Sequence, residues 1–149
     1  MEFATHRPLI SVIADGMNGP GARHGLNKLR LALQAVGVPF EEADGTEAAQ
    51  GTHWIVAGVV QAKTVAILLG KDGLDIPETP ESVLIHHTRF KNTKVVLVSG
   101  GDDRGVMYAL LDVADSIEKA PDHDEPLQAV QGVSEQPVVQ ERSVSIYTM

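Results

Sequence analysis

Hydrophobic residues along this chain recur at two periods, one typical of β-strands and one typical of α-helices. Apolar runs predict a buried strand at 9–14, a short strand at 38–42 and a third strand at 53–57. The runs 82–88 and 93–99 predict a hairpin, because the four-residue connection between them is typical of hairpins. The second of these two runs has an uninterrupted apolar centre, as expected of a strand that is covered on both faces.

Two segments carry apolar stripes at helical spacing, with steps of three or four positions. The first predicts a helix over 22–36, and its stripe consists of Leu26, Leu29, Leu33 and Val36. The second predicts a helix over 103–119, and its stripe consists of Met107, Leu110, Ala114 and Ile117. The run 59–69 is ambiguous, since its β-branched residues suit a strand while Gly70 suits a helix end. We favour a helix there.

Together these elements predict an α/β or α+β fold, in which helices pack on a mixed β-sheet. The order is a β–α–β unit, then a strand with a helix, then a hairpin with a helix. A chain of 149 residues is long enough for one domain with a substantial core. We expect this compact domain to occupy residues 1–119.

The formal charge of −8, from 12 basic and 20 acidic residues, is concentrated near the C-terminus. The segment 120–141 holds five acids, three prolines and no Lys or Arg. Such a segment buries too little apolar surface to offset its own ordering entropy. We therefore expect an extended acidic connector over 120–141.

Residues 142–149 alternate polar and apolar side chains and include β-branched residues, which predicts a half-buried terminal strand. Two interpretations remain open. The strand either begins a further domain beyond Met149 or folds back onto the edge of this domain's sheet.

Composition excludes several classes of protein. The absence of cysteine excludes a disulfide scaffold and a thiolate zinc site. The excess of acid argues against a nucleic-acid partner, since phosphate neutralisation needs clustered Lys and Arg. No apolar run reaches the ~20 residues of a membrane-spanning helix, and the first seven residues lack the apolar core of a signal peptide. We therefore expect neither a nucleic-acid partner nor a membrane partner.

The glycine-rich turn after the first strand lies where a doubly wound fold places a phosphate site. Gly16 and Gly21 have the spacing of a P-loop, but the Lys-Ser/Thr pair of that motif is missing. Gly19 and Gly21 open a dinucleotide fingerprint, but His24 occupies the position of its third glycine. A tight strand-to-helix turn is the simpler interpretation. The alternative is a small-molecule or phosphate site formed by Gly16, Gly19, Gly21 and Arg23.

Six histidines raise the question of a metal site. His86 and His87 are adjacent on a predicted strand and point to opposite faces, so they do not readily ligate one ion. The other four are isolated, and no His-Glu-x-x-His motif is present. We expect no metal site and no cofactor.

The acidic pair Asp102 and Asp103 lies between the most apolar strand and the last helix. One interpretation is a carboxylate pair for acid–base catalysis. The other is a helix start, in which an Asp accepts hydrogen bonds from free backbone N–H groups and Arg104 pairs with a nearby acid. We favour the helix start and assign no catalytic residue.

The same region resembles a known family. A Glu-Ser-Val-Leu-Ile strand at 81–85 precedes a strand that runs into Gly100-Gly101-Asp102-Asp103-Arg104-Gly105, and Tyr108-Ala109 follows in the helix. This order is similar to the N-terminal non-catalytic, zincin-like α/β domain of large glycoside hydrolases of the alpha-glucuronidase and beta-hexosaminidase type. The structural motif residues are Gly101, Asp102, Asp103, Arg104, Gly105 and Tyr108. Val83 departs from the family's usual aromatic residue and Ala109 from its usual glycine.

The resemblance implies a structural role beside a catalytic (β/α)8 barrel. Residues 142–149 resemble the first strand of such a barrel, and 120–141 would be the link to it. The catalytic carboxylates of these enzymes lie at the ends of the barrel strands, so none is carried over to this chain. The implied partner is the barrel of a parent chain, which would be secreted or periplasmic.

Three hypotheses follow. The first is an accessory domain of a carbohydrate-active hydrolase, inactive alone. The second is a free-standing binding module that uses the glycine-rich turn at 15–22. The third is a small enzyme that uses Asp102 and Asp103.

Overall fold

The computed structural model of the chain describes residues 9–17, 19–74, 79–120 and 125–135. The strands are β1 (Ile10–Asp15), β2 (Phe40–Ala43), β3 (His53–Val59), β4 (Val83–Phe90), β5 (Thr93–Gly100) and β6 (Val133–Glu135). The helices are α1 (Pro20–Ala35), α2 (Lys63–Lys71) and α3 (Asp103–Glu118), and a 3-10 helix follows at Pro126–Ala129. None of the helices in these ranges is long and apolar enough to cross a membrane.

The strands form one mixed sheet of six, in the order β2-β1-β3-β5-β4-β6. β1 pairs in parallel with β2 and β3, and β3 pairs in parallel with β5. β4 runs antiparallel to both β5 and β6. The predicted fold class, a mixed sheet packed with helices, is therefore confirmed.

The hairpin that joins β4 to β5 turns through two residues. Lys91 and Asn92 both have positive φ angles, 50° and 69°. Two consecutive residues in this region are the mark of a type I′ turn, whose twist matches that of the flanking strands. The predicted hairpin is confirmed, and β4 continues two residues further than the prediction, to Phe90.

The two faces of the sheet are covered unequally. α1 and α3 lie together on one face, where their apolar stripes meet inward-pointing residues of the strands such as Val12, Ile55 and Val98. On the opposite face α2 packs on Ile13, Val56 and other strand residues. The central strands β3 and β5 are buried on both faces, which explains their continuous apolar runs.

Several boundaries differ from the predictions, and the differences at β2 and β3 have a clear cause in the structure. β2 begins at Phe40 instead of residue 38. β3 extends to Val59, which pairs with Gly100, so α2 begins at Lys63 and not at residue 59. The β-branched residues at the start of the ambiguous run thus belong to the strand and its turn, while the helix that we favoured forms from the remainder.

Part of the predicted acidic connector is packed against the domain. The 3-10 helix Pro126–Ala129 places Leu127 in the core, Val130 is buried beside it, and β6 adds a strand to the edge of β4. Composition did not reveal this, because the few apolar residues of the segment are stabilised by contacts with a distant strand. The predicted terminal strand at 142–149 lies outside the described residues.

Helices α1 and α3 approach each other closely at Gly25. A Cβ atom at this position would lie 2.8 Å from the Cβ of Leu110 and 3.3 Å from the Cα of Met107. Contacts this short do not occur in folded proteins without displacement of one element. The spacing of the two helices therefore requires glycine at residue 25.

We expect Gly25→Ala to lower the free energy of unfolding by about 1–3 kcal/mol, because the methyl group forces α1 and α3 apart. Gly70→Ala is the matched control, since its Cβ would meet no atom within 4 Å. That change should raise stability by about 0.5–1 kcal/mol through helix propensity. Urea unfolding measures both, and equal effects of the two substitutions would contradict the close-contact argument.

Candidate functional site

The glycine-rich turn after β1 and the acidic pair before α3 lie against each other in the structure. The carboxylate of Asp103, in the first turn of α3, reaches the first turn of α1. Its Oδ2 accepts a hydrogen bond from the backbone N–H of Gly21 at 2.9 Å, and its Oδ1 accepts one from Ala22 at 2.8 Å. The glycine-rich turn and the acidic pair thus form one structural unit.

Asp103 occupies the position that a bound phosphate would need. Free N–H groups at a helix start attract anions, and two of those of α1 are already bound to a carboxylate. A Cβ atom at Gly19 would lie 2.1 Å from Asp103 Oδ1, and one at Gly21 would lie 2.7 Å from Oδ2. The glycines are therefore required by the approach of Asp103, and Arg23 points to solvent as an exposed side chain.

Asp102 is the N-cap of α3. Its Oδ1 accepts hydrogen bonds from the N–H groups of Gly105 at 2.8 Å and of Glu81 at 3.0 Å. It therefore joins the start of α3 to the residues that precede β4. Arg104 lies 3.3 Å from the carboxylate of Glu81 and is largely exposed.

Gly105 allows the start of α3 to pack closely against the residues that precede β4. A Cβ atom at Gly105 would lie 2.1 Å from the carbonyl oxygen of Ser82, and Gly101 donates its N–H to that oxygen at 3.2 Å. Ser82 is buried. The motif residues from Gly101 to Gly105 thus hold the end of β5, the start of α3 and the start of β4 together. Tyr108 lies outside this junction and is 42% exposed.

Asp15, at the end of β1, has a similar role at α2. Its Oδ2 accepts a hydrogen bond from the N–H of Thr64 at 2.6 Å. In each of α1, α2 and α3, a backbone N–H group of the first turn therefore donates to an aspartate carboxylate. Sequence reasoning missed Asp15 and the long-range contact of Asp103, although an Asp immediately after a strand is a usable signal for the first.

A polar cluster joins the C-terminal end of α2 to β4. Asp72 Oδ1 accepts a hydrogen bond from Lys71 Nζ at 2.5 Å, and Asp72 Oδ2 accepts one from Thr88 Oγ1 at 2.5 Å. His86 Nε2 lies 2.8 Å from the same Oδ2. The Lys71 ammonium, followed by Thr88 and His86, holds the pKa of Asp72 well below its usual range. The cluster is a structural tie between the two elements.

The adjacent histidines point to opposite faces of β4, as predicted. His86 faces Asp72 on the side of α2, and His87 Nε2 lies 2.7 Å from the carbonyl oxygen of Val130 on the other side. Within the described residues, no group of three or more His, Asp or Glu side chains is arranged to hold a metal ion.

Two of the clefts in the described part of the chain exceed 500 Å³, and neither is lined by the motif residues Asp102, Asp103 or Tyr108. The first, which we call the basal cleft, has a volume of about 510 Å³ and lies at the edge where β3 and β5 begin. Residues lining the basal cleft include His53, His87, Arg89, Lys94, Glu125 and Leu127. The second, of about 580 Å³, lies beside α2.

No protein-family model and no curated protein matches this chain. Among solved structures, the chain is similar to a GH138 enzyme that targets pectin rhamnogalacturonan II, with a TM-score of 0.58 and 17% sequence identity. The likeness covers 86% of this chain and 15% of that enzyme's chain. At this identity it establishes a shared fold with part of a glycoside hydrolase, and it does not point to the alpha-glucuronidase or beta-hexosaminidase type.

We expect Asp103→Asn to lower the free energy of unfolding by about 1–3 kcal/mol, because an amide offers one acceptor oxygen to the two N–H groups of α1. Asp112→Asn is the matched control, since Asp112 is an exposed residue of the same helix. Urea unfolding of both variants measures the effect. An Asp103→Asn variant as stable as Asp112→Asn would argue against the capping role.

The Asp72 cluster predicts a specific dependence of stability on pH. Because the pKa of Asp72 is lowered on folding, its stabilising effect is complete above the unfolded-state pKa of about 4 and is lost as the pH falls further. The difference in unfolding free energy between the wild type and Asp72→Asn should therefore shrink as the pH falls from about 4 towards about 2.

Asp115→Asn provides the control for this pH series. Asp115 forms an exposed ion pair with Lys119, and such pairs contribute little to stability. Its difference from the wild type should remain small across the whole range. A difference for Asp72→Asn that stays unchanged between pH 5 and pH 2 would contradict the assignment.

Proposed function

We propose that this chain is a non-catalytic accessory domain of a carbohydrate-active glycoside hydrolase, which packs against the catalytic barrel and supports it. The observation that carries the proposal is the likeness of 86% of the chain to a portion amounting to 15% of a GH138 enzyme. A domain that matches so small a part of a large enzyme corresponds to a minor domain of it. The resemblance of 81–111 to domains of the alpha-glucuronidase and beta-hexosaminidase type supports the same role.

The state of the acidic residues also supports a structural role. A glycosidase needs two carboxyl groups that face a sugar, separated by about 5–10 Å and free to donate a proton or attack. Asp15, Asp102 and Asp103 instead accept hydrogen bonds from backbone N–H groups at helix starts. A carboxylate used in this way is held away from substrate chemistry.

The glycine-rich turn offers little support for the alternative of a phosphate-binding module at 15–22. The N–H groups of Gly21 and Ala22 already bind Asp103. Phosphate would have to displace the Asp103 carboxylate from these N–H groups. The negative charge of that carboxylate would also repel it.

The first experiment assays the whole chain against a panel of neutral and acidic aryl glycosides. We expect no release of aglycone above that of heat-treated protein, since the proposed catalytic residues belong to the barrel. Turnover that Asp103→Asn abolishes without lowering the melting temperature would overturn the proposal in favour of a small enzyme.

A second experiment tests the supporting role itself. If the coding sequence continues into a barrel, the parent chain should be expressed with and without residues 1–135. We expect the truncated parent to be less soluble or to have a lower melting temperature, while any folded fraction retains its catalytic rate per molecule. A reading frame that stops at Met149, or a truncated parent of unchanged stability, would reject the role.

A further inference from the structure

The floor of the basal cleft is a row of basic and imidazole side chains that the sheet register aligns. His53 of β3 pairs with Lys94 of β5, and Lys94 pairs with Arg89 of β4. Side chains of directly paired residues project from the same face of a sheet and lie close together. The three residues therefore form a continuous row across three adjacent strands.

Among the residues that the structure describes, the two cations in this row lack acidic partners. In the described part of the chain, neither Arg89 nor Lys94 takes part in an ion pair or a side-chain hydrogen bond. Directly paired like charges repel each other across a sheet. Such a pair is unexpected in a chain whose net charge is −8, where acids to neutralise it are abundant.

The surroundings of the row form a built cleft with an apolar side. Val96 and Leu127, both nearly fully buried, contribute to its lining. The 3-10 helix Pro126–Ala129 forms one wall, and His87 secures it by a contact of 2.7 Å to the carbonyl oxygen of Val130. Among the described residues of the lining the one acid is Glu125, which lies 3.8 Å from His53 Nε2, at the end of the row away from Arg89.

We propose that the basal cleft binds a small ligand through a carboxylate or phosphate group, held between Arg89 and Lys94. The guanidinium group of Arg89 can donate two parallel hydrogen bonds to such an oxyanion, and the Lys94 ammonium adds a point charge. The uncharged part of the ligand lies on Val96 and Leu127. The volume of about 510 Å³ is in the range of small-molecule sites.

The location of this site differs from the usual one. Open α/β sheets bind ligands outside the carboxyl ends of their parallel strands. In this chain the second cleft, lined by Asp15 and Thr64, lies at that edge, while the basal cleft lies at the opposite edge. The proposal therefore does not depend on the hydrolase-associated function.

The test is an NMR titration of the whole chain at pH 7 and low salt, with amide shifts followed along β3, β5 and β4. The probes are galacturonate, glucose 6-phosphate and inorganic phosphate, with galactose and glucose as the matched neutral sugars. We expect millimolar binding of the first two probes and at least ten-fold weaker binding of the neutral sugars. Equal binding of neutral and anionic sugars, or no shifts with any anion, would overturn the proposal.

Substitutions locate the site. Arg89→Gln and Lys94→Gln should each weaken binding several-fold, and the double variant should weaken it at least ten-fold. Arg23→Gln is the matched control, because it removes an exposed cation at the glycine-rich turn and should leave binding unchanged. Equal weakening by Arg23→Gln and the double variant would instead reject the basal cleft.

Melting temperatures keep the result interpretable. Removing one of two repelling cations should leave the melting temperature of each single variant unchanged or slightly higher, so lost binding cannot be ascribed to unfolding. Added phosphate should raise the melting temperature of the wild type more than that of the double variant. Equal stabilisation of both proteins would contradict a site between Arg89 and Lys94.

Discussion

Helix α1 depends on a carboxylate that it does not contain. Its N-cap residue is Gly19, which offers no side-chain acceptor, and its first turn holds no acid. Asp103 supplies the missing acceptor from the start of α3. This interaction requires the two helices to lie close together, and Gly21 and Gly25 make that approach possible. The pair of helices then packs on one face of the sheet, so the packing of the domain depends on this contact.

The same interaction limits ligand binding at the carboxyl ends of the parallel strands. A glycine-rich turn after the first strand is usually a place for phosphate, yet here a carboxylate of the chain itself fills it. The other helix starts are closed by Asp15 and Asp102 in the same manner. Carboxylates that accept hydrogen bonds from helix starts stabilise the fold, which agrees with a supporting domain. At the opposite edge, Arg89 and Lys94 have no acidic partner among the described residues.

Local patterns predicted the elements that local physics controls. The stripes at 22–36 and 103–119 predicted α1 and α3, and the short connection predicted the hairpin. Prediction was weakest where a distant partner decides the outcome. Val59 is extended because it pairs with Gly100. Residues 126–135 are ordered because they pair with β4 and pack into the core. Neither partner can be recognised from the residues that depend on it.

The sequence by itself determined the mixed class of the fold, the identity of the helices and the concentration of acid near the C-terminus, because each follows from the spacing or composition of neighbouring residues. Only the tertiary structure decided what the conspicuous residues do. It directs Asp103 to a helix more than eighty residues away, and it aligns His53, Lys94 and Arg89 in one row. The physical reason is that strand order and register, which no local pattern contains, determine which side chains become neighbours.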